Sequence, residues 1–123
     1  MKFKSPEIEA EFKSTSVFLR ILADSFDNCS YAYASQEAIM TRVKEPICGS
    51  SGVHEDNRAF DIRNEFDGGR LYTDEQVRLI VQHMNLVYPR NDQKTTCIHH
   101  SFNGGPLHFH VQLARETKTY EKK

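Results

Sequence analysis

The spacing of apolar and polar positions divides the chain into a helical opening, a strand-bearing centre, one well-marked helix and a strand-rich end. Ser5-Pro6-Glu7 sets a capping side chain ahead of proline with an acid in the first turn, so a helix is expected to start there. Ile8, Phe12, Leu19, Leu22 and Phe26, with Val17 and Phe18 between them, suit one helix or two short ones. Ser14-Thr15-Ser16 offers a break and Asp27-Asn28 an end. Tyr31 to Ala34 then alternates like an extended segment, and Ala38 to Val43 reads as a short strand.

Pro46 and Gly49-Ser50-Ser51-Gly52 interrupt regular structure, so His54 is expected to emerge from a turn. Ala59-Phe60-Asp61-Ile62-Arg63 looks like a buried strand, and Asp67-Gly68-Gly69 is a turn signal. Thr73 followed by Gln76 forms a capping box, which starts a helix with Val77, Ile80, Val81, Met84 and Tyr88 on one face. That helix should stop before Pro89, because the residue ahead of proline disfavours helical dihedrals. His83 lies off the apolar face and is expected to be solvated. Thr95 to His99 and Leu107 to Leu113 are strand-like, with Asn103-Gly104-Gly105-Pro106 as the hairpin or loop between them. In the second run His108, His110 and Gln112 share one face while Leu107, Phe109, Val111 and Leu113 share the other. The segment after Glu116 is polar and expected to fray.

Composition narrows what this pattern can serve. At 123 residues one domain over 1–123 is expected, of α+β class, with an antiparallel sheet and helices on one side. Sixteen basic against 17 acidic side chains leave no field of one sign to gather nucleic acid. No apolar run approaches the roughly 20 residues of a membrane span, and Met1 to Pro6 lacks a signal-peptide core, so synthesis in the cytoplasm is expected. Cys29, Cys48 and Cys97 form no C-x-x-C pair, which points to reduced thiols; only Cys97, in Cys97-Ile98-His99-His100, lies near other ligand types.

Six histidines in so short a chain are the compositional oddity. His108 and His110 on one strand face lie about 6.5 to 7 Å apart along the backbone, close enough to serve one reaction centre. His54 and Asp61 are seven positions apart. Two imidazoles and a carboxylate with an open fourth position have the composition of a catalytic zinc site, since structural sites use more cysteine.

Ser51-Gly52-Val53-His54-Glu55-Asp56-Asn57-Arg58-Ala59-Phe60-Asp61-Ile62-Arg63 resembles the S-x-H-x(6)-D segment of zinc D-alanyl-D-alanine carboxypeptidases and related phage endolysin peptidases, and Pro106-Leu107-His108-Phe109-His110-Val111-Gln112 resembles their H-x-H strand. The resemblance covers residues 38 to 113. It implies the fold shared by these enzymes, the hedgehog signalling domain and the lysostaphin-type peptidases. It implies Zn2+ held by His54, Asp61 and His110, with His108 facing the metal-bound water or the developing oxyanion. Arg42 and Arg58 become candidates for holding a substrate carboxylate or the oxyanion.

What the resemblance implies about activity is hydrolysis of a peptide bond in the peptidoglycan stem peptide, next to a D-amino acid, by a monomer without a membrane span. A phage enzyme released to the cell wall during lysis, or a cytosolic peptidase acting on recycled wall fragments, fits that expectation. Some relatives carry a Glu three residues before the last ligand, where this chain has Leu107. Either His108 takes that role, or an acid from elsewhere does, or the domain binds zinc and a wall peptide or protein partner without cleaving. A hydrolase of another amide or ester is a further alternative.

Overall fold

Ser5 Oγ accepts from the Ile8 N–H at 3.3 Å and Ser16 Oγ from the Leu19 N–H at 3.3 Å, so each serine opens a helix. The computed structural model describes residues 1–44, 58–90, 95–101 and 104–113. Its elements run β1 (Lys2–Phe3), α1 (Pro6–Lys13), α2 (Val17–Ala34), β2 (Ile39–Lys44), β3 (Ala59–Arg63), β4 (Glu65–Phe66), β5 (Gly69–Arg70), α3 (Asp74–Val87), β6 (Cys97–His100) and β7 (His108–Gln112). The expected break at Ser14-Thr15-Ser16 therefore separates two helices.

The expected end at Asp27-Asn28 is overturned: α2 continues to Ala34, and the Tyr31 to Ala34 segment is helical rather than extended. Asp27 has a tertiary use instead. Its Oδ1 accepts from the Ala38 N–H at 2.9 Å and its Oδ2 from the Met1 ammonium at 2.8 Å, so the acid ties the helix to the β1–β2 edge. The helix ends at Ser35, which takes left-handed dihedrals with φ 54° and donates back to the Tyr31 carbonyl.

Five strands form one sheet in the order β1-β2-β3-β7-β6, and β4 with β5 forms a small hairpin. The sheet is mixed, not antiparallel throughout: β2–β3, β3–β7 and β6–β7 are antiparallel, whereas β1 pairs parallel with β2. Parallel neighbours need a crossover, and α1 and α2 supply it. Asp67 and Gly68, at φ 55° and 78°, make the two-residue turn between β4 and β5, a conformation matched to strand twist.

Phe60, Ile62, Phe109, Val111 and Cys97 alternate onto one face of the sheet and are fully buried. They meet Leu19, Leu22, Ala23 and Phe26 of α2 and Ile80 and Met84 of α3 in one cluster, with Val77, Val81 and Tyr88 packed at its margin. The helix expected from the Thr73 box is present with both halves of the box formed. Asn85 pins it to β6, donating to the Cys97 carbonyl at 2.9 Å and accepting from the Cys97 N–H at 2.8 Å. His83 is exposed, as its position off the apolar face predicts, and its Nδ1 lies 2.9 Å from the Tyr33 hydroxyl.

Candidate functional site

Strand alternation leaves the second face of the sheet to Asp61, Arg63, His108, His110 and Gln112. Across that face Arg42 is the register partner of Asp61, and Asp61 of His110. Arg63 is the partner of His108, which is in turn the partner of His100. Arg42 reaches this row through a bulge: Met40 pairs with Ile62 but Arg42 with Asp61, so Thr41 is an extra residue. Met40 and Val43 thereby stay with the core while Arg42, which simple alternation from Met40 would turn inward, joins the polar row.

Asp61 is only 7% exposed. A buried carboxylate needs partners, and His110 Nδ1 lies 2.9 Å from its Oδ1, with His108 Nε2 3.8 Å from its Oδ2. His110 is itself oriented. Gln112 donates through Nε2 to the Thr95 carbonyl at 3.0 Å, which turns its Oε1 toward His110 Nε2 at 3.3 Å. With Nε2 committed to Gln112, the nitrogen His110 presents to Asp61 is Nδ1. His108 is set the other way: its Nδ1 is 3.1 Å from the Pro106 carbonyl, an oxygen that only accepts, so Nδ1 carries the hydrogen and Nε2 is left to accept a proton. The His100 ring stands 4.8 Å from that of His108 and 5.7 Å from that of His110.

This donor set suits a shared metal ion. Two ligand atoms at about 2.0 to 2.1 Å from a tetrahedral zinc lie roughly 3.3 Å from each other, a few tenths from the observed Asp61–His110 separation. A carbonyl acceptor on the remote nitrogen, as Gln112 supplies, is the usual outer partner of a metal-bound histidine. Of the three ligands expected, Asp61 and His110 are brought together; His54 lies outside the described residues. Among the described residues alone, no group of three His, Cys, Asp or Glu side chains could hold a metal ion.

Beside Asp61 and His108 opens a cleft of about 350 Å³, walled by Lys4, Thr41, Arg42, Arg63, Glu65, Phe66, Pro106 and Leu107. Arg42 is exposed at its edge. Arg63 lies with its guanidinium 4.0 Å from the centre of the Phe66 ring. At Leu107, where some relatives of the resembled family have Glu, the backbone N–H donates to Glu65 Oε1 at 2.6 Å. Glu65 stands four positions beyond Asp61, up to about 13 Å along extended chain. Glu65 lines the same cleft as Asp61, held there by its contacts with Leu107.

Neighbouring histidines divide sharply. His99 faces the core side, its ring 5.0 Å from that of Phe109, and its Nε2 accepts from the Asn64 amide at 2.8 Å. Burial first, then repulsion from Arg70 and His108, holds the His99 pKa below the ordinary histidine value. Cys97 is fully buried on the same side and its thiol is pushed well above the usual range by that burial, whereas His100 lies on the opposite face of the sheet, so the side chains of the Cys97 to His100 run do not converge on one point. Sequence reasoning missed Asn64, Gln112 and His100 as supports. Alternation on β6 and β7 was the available signal for the last two, since it sets His100 and Gln112 on the His110 side.

Comparison with models of protein families, with curated proteins and with solved structures returns no match to this chain. Among the described residues no helix is long and apolar enough to cross a membrane.

Proposed function

We propose that the chain is a zinc-dependent peptidase acting on the peptidoglycan stem peptide, beside a D-amino acid. The observation that carries the reading is the Asp61–His110 pair: a 2.9 Å contact, oriented by Gln112, on the sheet face that also bears His108. The order of His54, Asp61 and the H-x-H strand in the sequence supports the same assignment, as does the cleft beside Asp61.

On this reading His54, Asp61 and His110 hold Zn2+, which when bound lowers the pKa of water and polarises a carbonyl. His108 takes a proton at Nε2 and returns it to the leaving amine, while its Nδ1–H stays on the Pro106 carbonyl and keeps the ring in place. Arg42, beside Asp61, neutralises charge developing on the substrate oxygen. This division needs no Glu at position 107, because His108 already offers the basic nitrogen.

Digestion of purified cell wall tests the proposal. Release of new amino groups that stops with a chelator and resumes with zinc is the expected result. Release that ignores the chelator, or none from zinc-loaded protein, overturns it; wall binding without cleavage would establish the non-catalytic binding module instead.

A further inference from the structure

The return limb of the β4–β5 hairpin hangs on one side-chain amide. Asn64 is fully buried; its Oδ1 accepts from the Leu71 N–H at 3.1 Å and the Tyr72 N–H at 2.8 Å, while its Nδ2 donates to His99 Nε2 at 2.8 Å. Two backbone donors on one side fix which end of the amide is oxygen. Leu71 has a second acceptor in the Asn64 carbonyl at 2.9 Å, whereas among the described residues Tyr72 N–H bonds to Oδ1 alone. The hairpin carries Glu65 and Phe66, which wall the cleft beside Asp61 and pair with Arg70 and Gly69.

This arrangement works only while His99 accepts. An imidazolium has an N–H at both nitrogens, so a proton on Nε2 would meet the Asn64 NH2 unless the amide turns over. Turning gives the imidazolium an oxygen, in a charge-assisted bond about twice as strong as a neutral one, and takes that oxygen from two neutral backbone donors. The exchange is close to balanced, as a two-state element requires. Solvent protons reach the site, because the half-buried His99 ring lines an open groove of about 670 Å³ with Ile98 and the α3 residues Val77 and Val81. Charged neighbours act in both directions. Arg70 of β5 and His108 of β7 oppose a proton on His99, Glu65 of β4 and Asp74 of α3 favour it, and Arg78, also in the groove, is paired with Glu75.

We propose that Asn64 and His99 form a proton-operated latch: neutral His99 keeps the amide oxygen on Leu71 and Tyr72, and protonated His99 draws that oxygen away, releasing Tyr72 and loosening the cleft wall at Phe66. The latch acts on the cleft whatever ligand the cleft takes.

Amide exchange and NMR titration of the full chain from about pH 8 to about pH 4.5 test this across the histidine range. Tyr72 protection, corrected for the intrinsic exchange rate, is expected to fall at least roughly tenfold as His99 titrates, the scale of one hydrogen bond. Leu71 should lose less, and the Phe66 ring resonances should shift with the His99 midpoint. His99→Gln offers an oxygen to the Asn64 amide without titrating, so Tyr72 should stay protected throughout. Asn64→Asp supplies a carboxylate that accepts from both sides at once, so it should keep Tyr72 protected and raise the His99 midpoint. Tyr72 protection that is unchanged through the His99 midpoint, or lost equally in His99→Gln, overturns the latch. So does loss of the Leu22 and Phe26 amides at the same midpoint, since the whole core would then be opening rather than the hairpin.

Discussion

Asn64 donates through its side-chain amide to His99 at 2.8 Å while its Oδ1 accepts from the backbone of Leu71 and Tyr72 at 3.1 and 2.8 Å. One fully buried side chain thus fastens the β4–β5 hairpin to β3 and fixes which nitrogen of His99 accepts. Asn64→Ala strands two backbone donors, each costing about 1 to 3 kcal/mol when buried without a partner. A loss of roughly 2 to 5 kcal/mol in urea unfolding is expected, and a loss under about 1 kcal/mol would show that the hairpin is not anchored here.

The same contact has a pH consequence. Burial first, then the charges of Arg70 and His108, holds the folded pKa of His99 below the unfolded value of about 6.5, and protonation at Nε2 would in addition set two donors face to face. Below that value the unfolded chain binds a proton that the folded one refuses. Stability from His99 is therefore complete above about pH 6.5 and lost as the pH falls through this value toward the folded pKa. NMR titration of the imidazole, with denaturation followed from pH 8 to 5, checks the direction; a His99 midpoint above about 6.5 would contradict it.

Metal content separates the ligands from the base. His54→Ala, Asp61→Ala and His110→Ala should each abolish stoichiometric zinc, whereas His108→Ala should retain it and lose turnover by about 10²-fold or more. Full zinc in the ligand variants, read by elemental analysis, would remove the assignment.

Gln112→Leu should preserve the fold but weaken zinc binding by about 10- to 100-fold, the usual effect of losing an outer partner of a bound histidine. Competition with a chromogenic chelator reports the affinity. An unchanged value would mean that His110 needs no guidance from Gln112.

Thr41 tests the bulge. Its substitution by Ala should change stability by no more than about 0.5 to 1 kcal/mol, as for an ordinary surface position. Its deletion should also cost no more than about 1 kcal/mol, because without the extra residue Met40, Arg42 and Val43 alternate onto the faces of their partners Ile62, Asp61 and Phe60 in an unbroken ladder. Thermal unfolding of the two variants side by side measures both.

The elements most legible in the sequence are those whose signal is local. The Thr73–Gln76 box announces α3, and the apolar alternation of Leu107 to Leu113 places His108 and His110 on one face before any partner strand is known. Asp27 misleads because a residue that reads as a helix stop is used to hold the Ala38 N–H and the Met1 ammonium. Lys2–Phe3 is too short to announce a strand and exists through its pairing with β2. The bulge at Thr41 depends on cross-strand register, which no single segment encodes. Of the candidate site, Asp61, His108 and His110 are legible from residue type and spacing, and alternation puts Gln112 on the same face as the two histidines; Arg42 enters through the family resemblance and guanidinium chemistry, and the contacts of Pro106 with His108 and of Asn64 with His99 emerge only when the segments meet.

On β3 and β7 each residue of the polar row stands between two residues of the core: Asp61 between Phe60 and Ile62, His110 between Phe109 and Val111. Substitution can alter either set one side chain at a time. Insertion or loss of one residue exchanges both at once, moving the carboxylate into the oil and the phenyl ring into the cleft. Across descendants of this sequence the lengths of these two strands are therefore expected to stay constant while identities on either face drift.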